Sequence, residues 1–138
     1  MDGRDPVTIP FALALLLASS IPVQAAAPNA LAKSDQWMPD RALIEKLERT
    51  AKMPEGAAAI ENSVRYYTGW RGAVTGHRLV YGTIISTDLP LFGSNKPEPS
   101  VRIVEPSAMP DFLARNCGIV MLEFNVDTQE TVVRCSQP

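Results

Sequence analysis

The sequence predicts an α+β fold, with one N-terminal helix packed on a four- to five-stranded antiparallel sheet and a C-terminal hairpin flanked by a Cys pair. Three observations predict it. Apolar residues recur at helical spacing around residues 39–52. β-Branched and aromatic residues then gather in short runs broken by Gly and Pro. The two cysteines of the chain bracket the last of these runs. A length of 138 residues suits one domain.

The elements follow in order. Phe11–Ala18 is an unbroken apolar run, ended by Ser19-Ser20-Ile21-Pro22. It is too short to span a bilayer, which takes roughly 20 apolar residues. Val23-Gln24-Ala25 then resembles a signal-peptidase site, although the only base before the run, Arg4, is offset by Asp2 and Asp5. Residues 1–25 are therefore expected to be a signal peptide, 26–38 a flexible leader, and 39–138 a single small domain, with no membrane span after cleavage. The protein is expected to be periplasmic or secreted.

Pro39 suits the first position of a helix over 39–52, because its ring pre-sets the backbone. Leu43, Ile44, Leu47 and Ala51 line one face, and Pro54 ends the helix. Glu45–Arg49 and Glu48–Lys52 are spaced for i,i+4 pairs and read as a solvated face. Arg65–Thr68 and Arg78–Ser86 read as an antiparallel hairpin, with Gly69, Gly72 and Gly76 punctuating the connection. Asp88–Ser100, with Pro90, Pro97 and Pro99, reads as a loop, and Val101–Val104 as a short strand. Pro106 to Pro110 is a break, and Asp111–Arg115 suits a helical turn. Val120, Leu122, Phe124 and Val126 alternate with polar or outward residues; Asp127–Glu130 is a turn, and Thr131–Cys135 returns.

Met53-Pro54-Glu55-Gly56-Ala57, Arg65-Tyr66-Tyr67, and Cys117-Gly118 followed by strand, turn and strand to Cys135 resemble a group of short exported proteins of Gram-negative alphaproteobacteria. The likeness spans about residues 40–136. It departs after Cys135, where Ser136-Gln137 stands in place of Asn-Gly. The group has no assigned activity, so the resemblance implies export and the C-terminal hairpin and no catalytic residue.

Cys117 and Cys135 are an even pair in a chain bound for an oxidising compartment, so a disulfide is expected. Alternation raises an obstacle. With Asp127–Glu130 as the turn, Cys135 lies opposite Val120, and Cys117 falls on the other pleat. A bulge or an irregular strand entry at Gly118 would re-aim Cys117.

Composition excludes several functions. A net charge of −2 supplies no footprint for nucleic acid. One His and two Cys make no metal cage, and no phosphate or dinucleotide motif occurs, so no metal and no cofactor is expected. His77 is the single imidazole, and Ser63, Ser86 and Ser107 lie in no nucleophile-elbow context. Glu123 is a plausible cross-strand partner for Arg134. The residues with binding character are Arg65, Tyr67, Trp70, Arg71, His77, Arg78 and Tyr81, since Tyr, Trp and Arg concentrate interface energy. Strand alternation puts Tyr66 and Trp70 on one face and Arg65 and Tyr67 on the other, so about half of these aromatics belong to the core.

The expected function is non-catalytic: a binding module whose partner is an envelope protein or a cell-wall component. Two alternatives stand beside it. One is a small secreted hydrolase with a site near His77. The other is an enzyme-inhibitor-like module, because a helix on a curled sheet is similar to the cystatin shape.

Overall fold

The computed structural model describes residues 36–112 and 116–136; the expected signal peptide and nearly all of the leader lie outside them. Helix α1 spans Arg41–Thr50. Asp40, not Pro39, opens it: the Asp40 carboxylate accepts the Leu43 N–H at 2.7 Å. This satisfies a backbone donor that the first turn leaves free. The helix is thus shorter than 39–52 and sits inside the chain, not at its N-terminus. Glu45 pairs with Arg41 at 3.6 Å, and Lys52 lies beyond the helix end. Ile44 and Leu47 are buried.

Five strands form one sheet: β1 (Ser63–Arg71), β2 (Arg78–Ser86), β3 (Ser100–Ile103), β4 (Ile119–Asn125) and β5 (Thr131–Cys135). Their order is β3-β1-β2-β4-β5. The β1–β2, β2–β4 and β4–β5 pairs are antiparallel, but β3 pairs with β1 in parallel, from Val64↔Ser100 to Tyr67↔Ile103. The sheet is therefore mixed, which corrects the antiparallel expectation. The reason lies in the Pro-rich connection. Both the N–H and the hydroxyl of Thr87 donate to the Asn62 carbonyl, at 3.1 Å each, just before β1 begins. The chain passes the start of β1 and enters β3 from that same end, so β3 must run alongside β1.

Strand β1 is longer than the sequence pattern suggests, because Gly69 lies within it and is not part of a turn. A Cβ at Gly69 would run into the backbone carbonyl of Trp37. The inner face, toward α1, carries Tyr67, Val80, Ile84, Val120, Leu122 and Phe124, packed with Ile44 and Leu47 as one core. Gly82 registers with Tyr67, and a Cβ there would come within 2.8 Å of the tyrosine ring. A glycine in mid-strand thus makes room for a large side chain.

Because β3 lies at one edge and β4 lies beyond β2, the chain between them must cross the sheet, and Pro110, Asp111 and Phe112 lie beside Met121 and Arg134 on the outer face. Of this crossing, 104–112 and 116–118 are described; Asp111 and Phe112 are not helical. It accompanies deep burial of Val64, Thr68, Thr83, Ile85 and Ile119 on that face.

Cys117 and Cys135 form a disulfide with Cα atoms 4.7 Å apart. Cys135 registers with Val120, as the turn length requires. Of the two expected devices, an irregular entry to β4 re-aims Cys117, set by the turn that precedes Gly118 and not by a bulge at it. Asn116 and Cys117 hold left-handed φ values of 61° and 56°. Gly118 serves a different purpose: a Cβ there would strike the Leu89 side chain.

Candidate functional site

The sheet separates the seven sequence-selected residues into three places. Arg65 and Tyr67 point inward, beneath α1. Tyr67 has no exposed surface; its hydroxyl donates to Glu48 Oε1 at 2.9 Å. Arg65 Nε lies 3.2 Å from the same oxygen, and its guanidinium donates to the Ile60 carbonyl at 2.6 Å. Burial, reinforced by the Glu48 carboxylate, pushes the Tyr67 phenol far above its ordinary range, so it remains a proton donor. Glu48 is thus not part of a solvated helix face. Its signal was present in the sequence: positions 44, 47, 48 and 51 share one helical stripe.

Arg71, His77 and Arg78 gather at the end of the sheet where β1 turns into β2. Arg71 and Arg78 register opposite each other, an arrangement that repels unless neutralised. Asp127, from the β4–β5 turn, supplies the neutralising charge. Its carboxylate accepts from the Arg78 backbone N–H at 2.7 Å, and from Nε and Nη2 at 3.3 and 2.9 Å. Arg78 also lies over the Trp37 ring, 5.8 Å from its centroid. Arg71 donates to the Gly76 carbonyl at 3.2 Å. His77 Nδ1 meets the Asn125 amide nitrogen at 3.2 Å. Asn125 Oδ1 in turn accepts the N–H groups of Asp127 and Thr128, at 3.0 and 3.1 Å. Asp127, Asn125 and Trp37 were not selected from the sequence, since nothing in local spacing joins them to 71–78.

The hydrogen bonds to Arg78, backbone first, hold the Asp127 carboxyl below its ordinary value of 3.8. A depressed folded pKa adds stability that is complete above the unfolded value and is lost as pH falls through the folded one. Asp127→Asn is therefore expected to flatten the acid limb of a stability–pH curve below about pH 4. Thermal unfolding of both proteins between neutral and strongly acid pH measures this; parallel curves would refute it.

Trp70 and Tyr81 lie on the outer face. Trp70 is 51% exposed and registers with Leu79, while Tyr81 is half-buried and registers with Glu123. Burial, then the Glu123 charge, raises the Tyr81 phenol pKa, so this hydroxyl also stays a donor. Trp70, Leu79 and Tyr81 form an aromatic and apolar strip on the part of the outer face that the crossing leaves open.

Nucleophilic catalysis at His77 would need a serine and an orienting carboxylate within hydrogen-bond reach. His77 Nδ1 meets Asn125 instead, and the nearby Asp127 carboxylate is committed to Arg78. A hollow of about 380 Å³ opens between Phe112, Met121 and Arg134, and His77 is not in its lining. Compared with protein-family models, curated proteins and solved structures, the chain matches none.

Proposed function

We propose that the protein is a non-catalytic binding module of the periplasm or the extracellular medium. It takes an envelope protein or a cell-wall component on the open strip of its outer sheet face. The observation that carries this reading is Trp70: a tryptophan 51% exposed near the end of β1, beside Leu79 and diagonal to Tyr81. A large apolar side chain held in water on a rigid strand keeps area that binding would desolvate, and Trp and Tyr dominate such contacts. The Cys117–Cys135 disulfide suits an oxidising compartment. Among the described residues, no helix is long and apolar enough to cross a membrane.

The test uses the immobilised protein as bait for native envelope extract, alongside Trp70→Ala and Tyr81→Ala. Retention by the wild type is expected to fall at least about tenfold in Trp70→Ala, the loss typical of an interface anchor. The melting temperature should hold, since the side chain is half in water. Equal retention by bait and variants would refute the assignment of the strip.

A further inference from the structure

Among the described residues, two opposite charges on the outer face go without partners beside an open sheet edge. Glu123 registers with Val132, and Arg134 with Met121, so the expected Glu123–Arg134 cross-strand pair is displaced by one pleat repeat. Among the described residues neither forms an ion pair. Both side chains are exposed, and Val132 between them is 55% exposed.

The edge itself is β5. The Glu130 carbonyl accepts the Asn125 N–H, and the Ser136 N–H donates to the Ile119 carbonyl. Alternation then turns the backbone groups of Val132 and Arg134 toward β4 and those of Thr131, Val133 and Cys135 away from the sheet. Among the described residues, no backbone hydrogen bond takes up these outward groups. The opposite edge differs. Strand β3 has four residues, Pro97, Pro99 and Pro106 flank it, and Arg102 is held on Tyr66 by a 2.9 Å hydrogen bond. Short length and prolines are how sheets block an edge. β5 contains no proline.

We propose that β5 is a self-association edge, to which a second copy of this chain adds its own β5 in antiparallel, with Val133 opposite the partner's Val133. This register brings the outward groups of Thr131, Val133 and Cys135 against one another over the whole strand. Sliding by two residues in one direction would set Arg134 against the partner's Arg134, a like-charge pair. Sliding the other way would leave Cys135 opposite the partner's turn. In the register that remains, Arg134 faces the partner's Val132, behind which stands the partner's Glu123. Two strand spacings, roughly 10 Å, separate those backbones, a gap that extended Arg and Glu side chains bridge. The two-fold axis makes the contact twice, so Arg134 and Glu123 of both chains are engaged together. The association is independent of what binds at Trp70.

Sedimentation equilibrium of the purified protein over a wide concentration range tests it, with a dimer as the expected result. Arg134→Glu is expected to weaken dimerisation about tenfold, since two symmetric charge contacts turn repulsive. Adding Glu123→Arg to that variant restores the opposite-charge pairing and should recover most of the loss. Thr131→Pro provides a second route: it removes an outward N–H at the first residue of the strand, where proline is tolerated. It is expected to weaken the dimer by a similar factor at unchanged melting temperature. A monomer at every concentration, or a dimer indifferent to both Arg134→Glu and Thr131→Pro, would overturn the proposal.

Discussion

Glu48→Ala is expected to destabilise the protein by about 3 kcal/mol, the lower end of the cost of removing one partner from a buried ion pair. The lower end applies because the Arg65 and Glu48 side chains retain 13% and 16% exposure. Two groups lose their partner at once. The Tyr67 hydroxyl, in a side chain with no exposed surface, has its 2.9 Å bond to Glu48 as its hydrogen bond. Arg65 keeps its bond to the Ile60 carbonyl but loses its counter-charge. Glu48→Gln should cost much less, because an amide oxygen still accepts from Tyr67. Glu45→Ala, which removes an exposed charge one turn earlier, should change stability by no more than about 0.5 kcal/mol. Thermal melts of the three variants separate these cases; for a domain of this size 3 kcal/mol lowers the midpoint by roughly 10–20 °C. A Glu48→Ala protein as stable as Glu45→Ala would show that the network beneath α1 contributes nothing.

Removing the disulfide should have a comparable effect. The bond closes a loop with a sequence separation of 18. Constraining an unfolded chain over that distance contributes about 3 kcal/mol in the chain-entropy account. Cys117→Ser/Cys135→Ser is therefore expected to unfold at markedly lower urea than the wild type, and reductant should move the wild type to the mutant's curve. The folded state adds a second contribution. Asn116 and Cys117 both hold left-handed φ values that side-chain-bearing residues rarely adopt. Once the tether is cut, nothing covalent keeps Cys117 aimed at Cys135. Coincident curves with and without reductant, or two free thiols in the unfolded, unreduced protein, would refute the expected contribution.

Much of this fold is legible locally. Strand β2 occupies the residues its β-branched run marks, Arg78–Ser86. The outgoing strand of the final hairpin is offset by one residue at each end, and its turn pairs Asn125 with Glu130 as the spacing requires. The Val120–Cys135 register follows from that turn, and with it the need for some backbone distortion at the Cys117 end. The candidate residues are less legible. Alternation assigns Trp70 to one face and Tyr67 to the other, yet it does not say which face α1 covers. The burial of Tyr67 and the exposure of Trp70 depend on that choice.

The sequence by itself determined where the helix and most of the strands lie, which side chains share a face, and that Cys135 stands opposite Val120. These follow from periods of 3.6 and 2 residues and from the length of one turn, all set by covalent geometry within a few residues. Only the tertiary structure decided that β3 joins β1 in parallel, that Gly69 lies in a strand, that Glu48 meets Tyr67 beneath α1, and that Asp127 neutralises Arg78. Each depends on a contact between segments far apart in the chain. The Pro-rich loop anchors on Asn62, the Trp37 backbone presses on Gly69, and the Tyr67 hydroxyl sits 19 residues from its acceptor. Arg78 and Asp127 are 49 residues apart. Local spacing carries no record of such distances, because what selects these pairs is the packing of one face against another after the elements have formed.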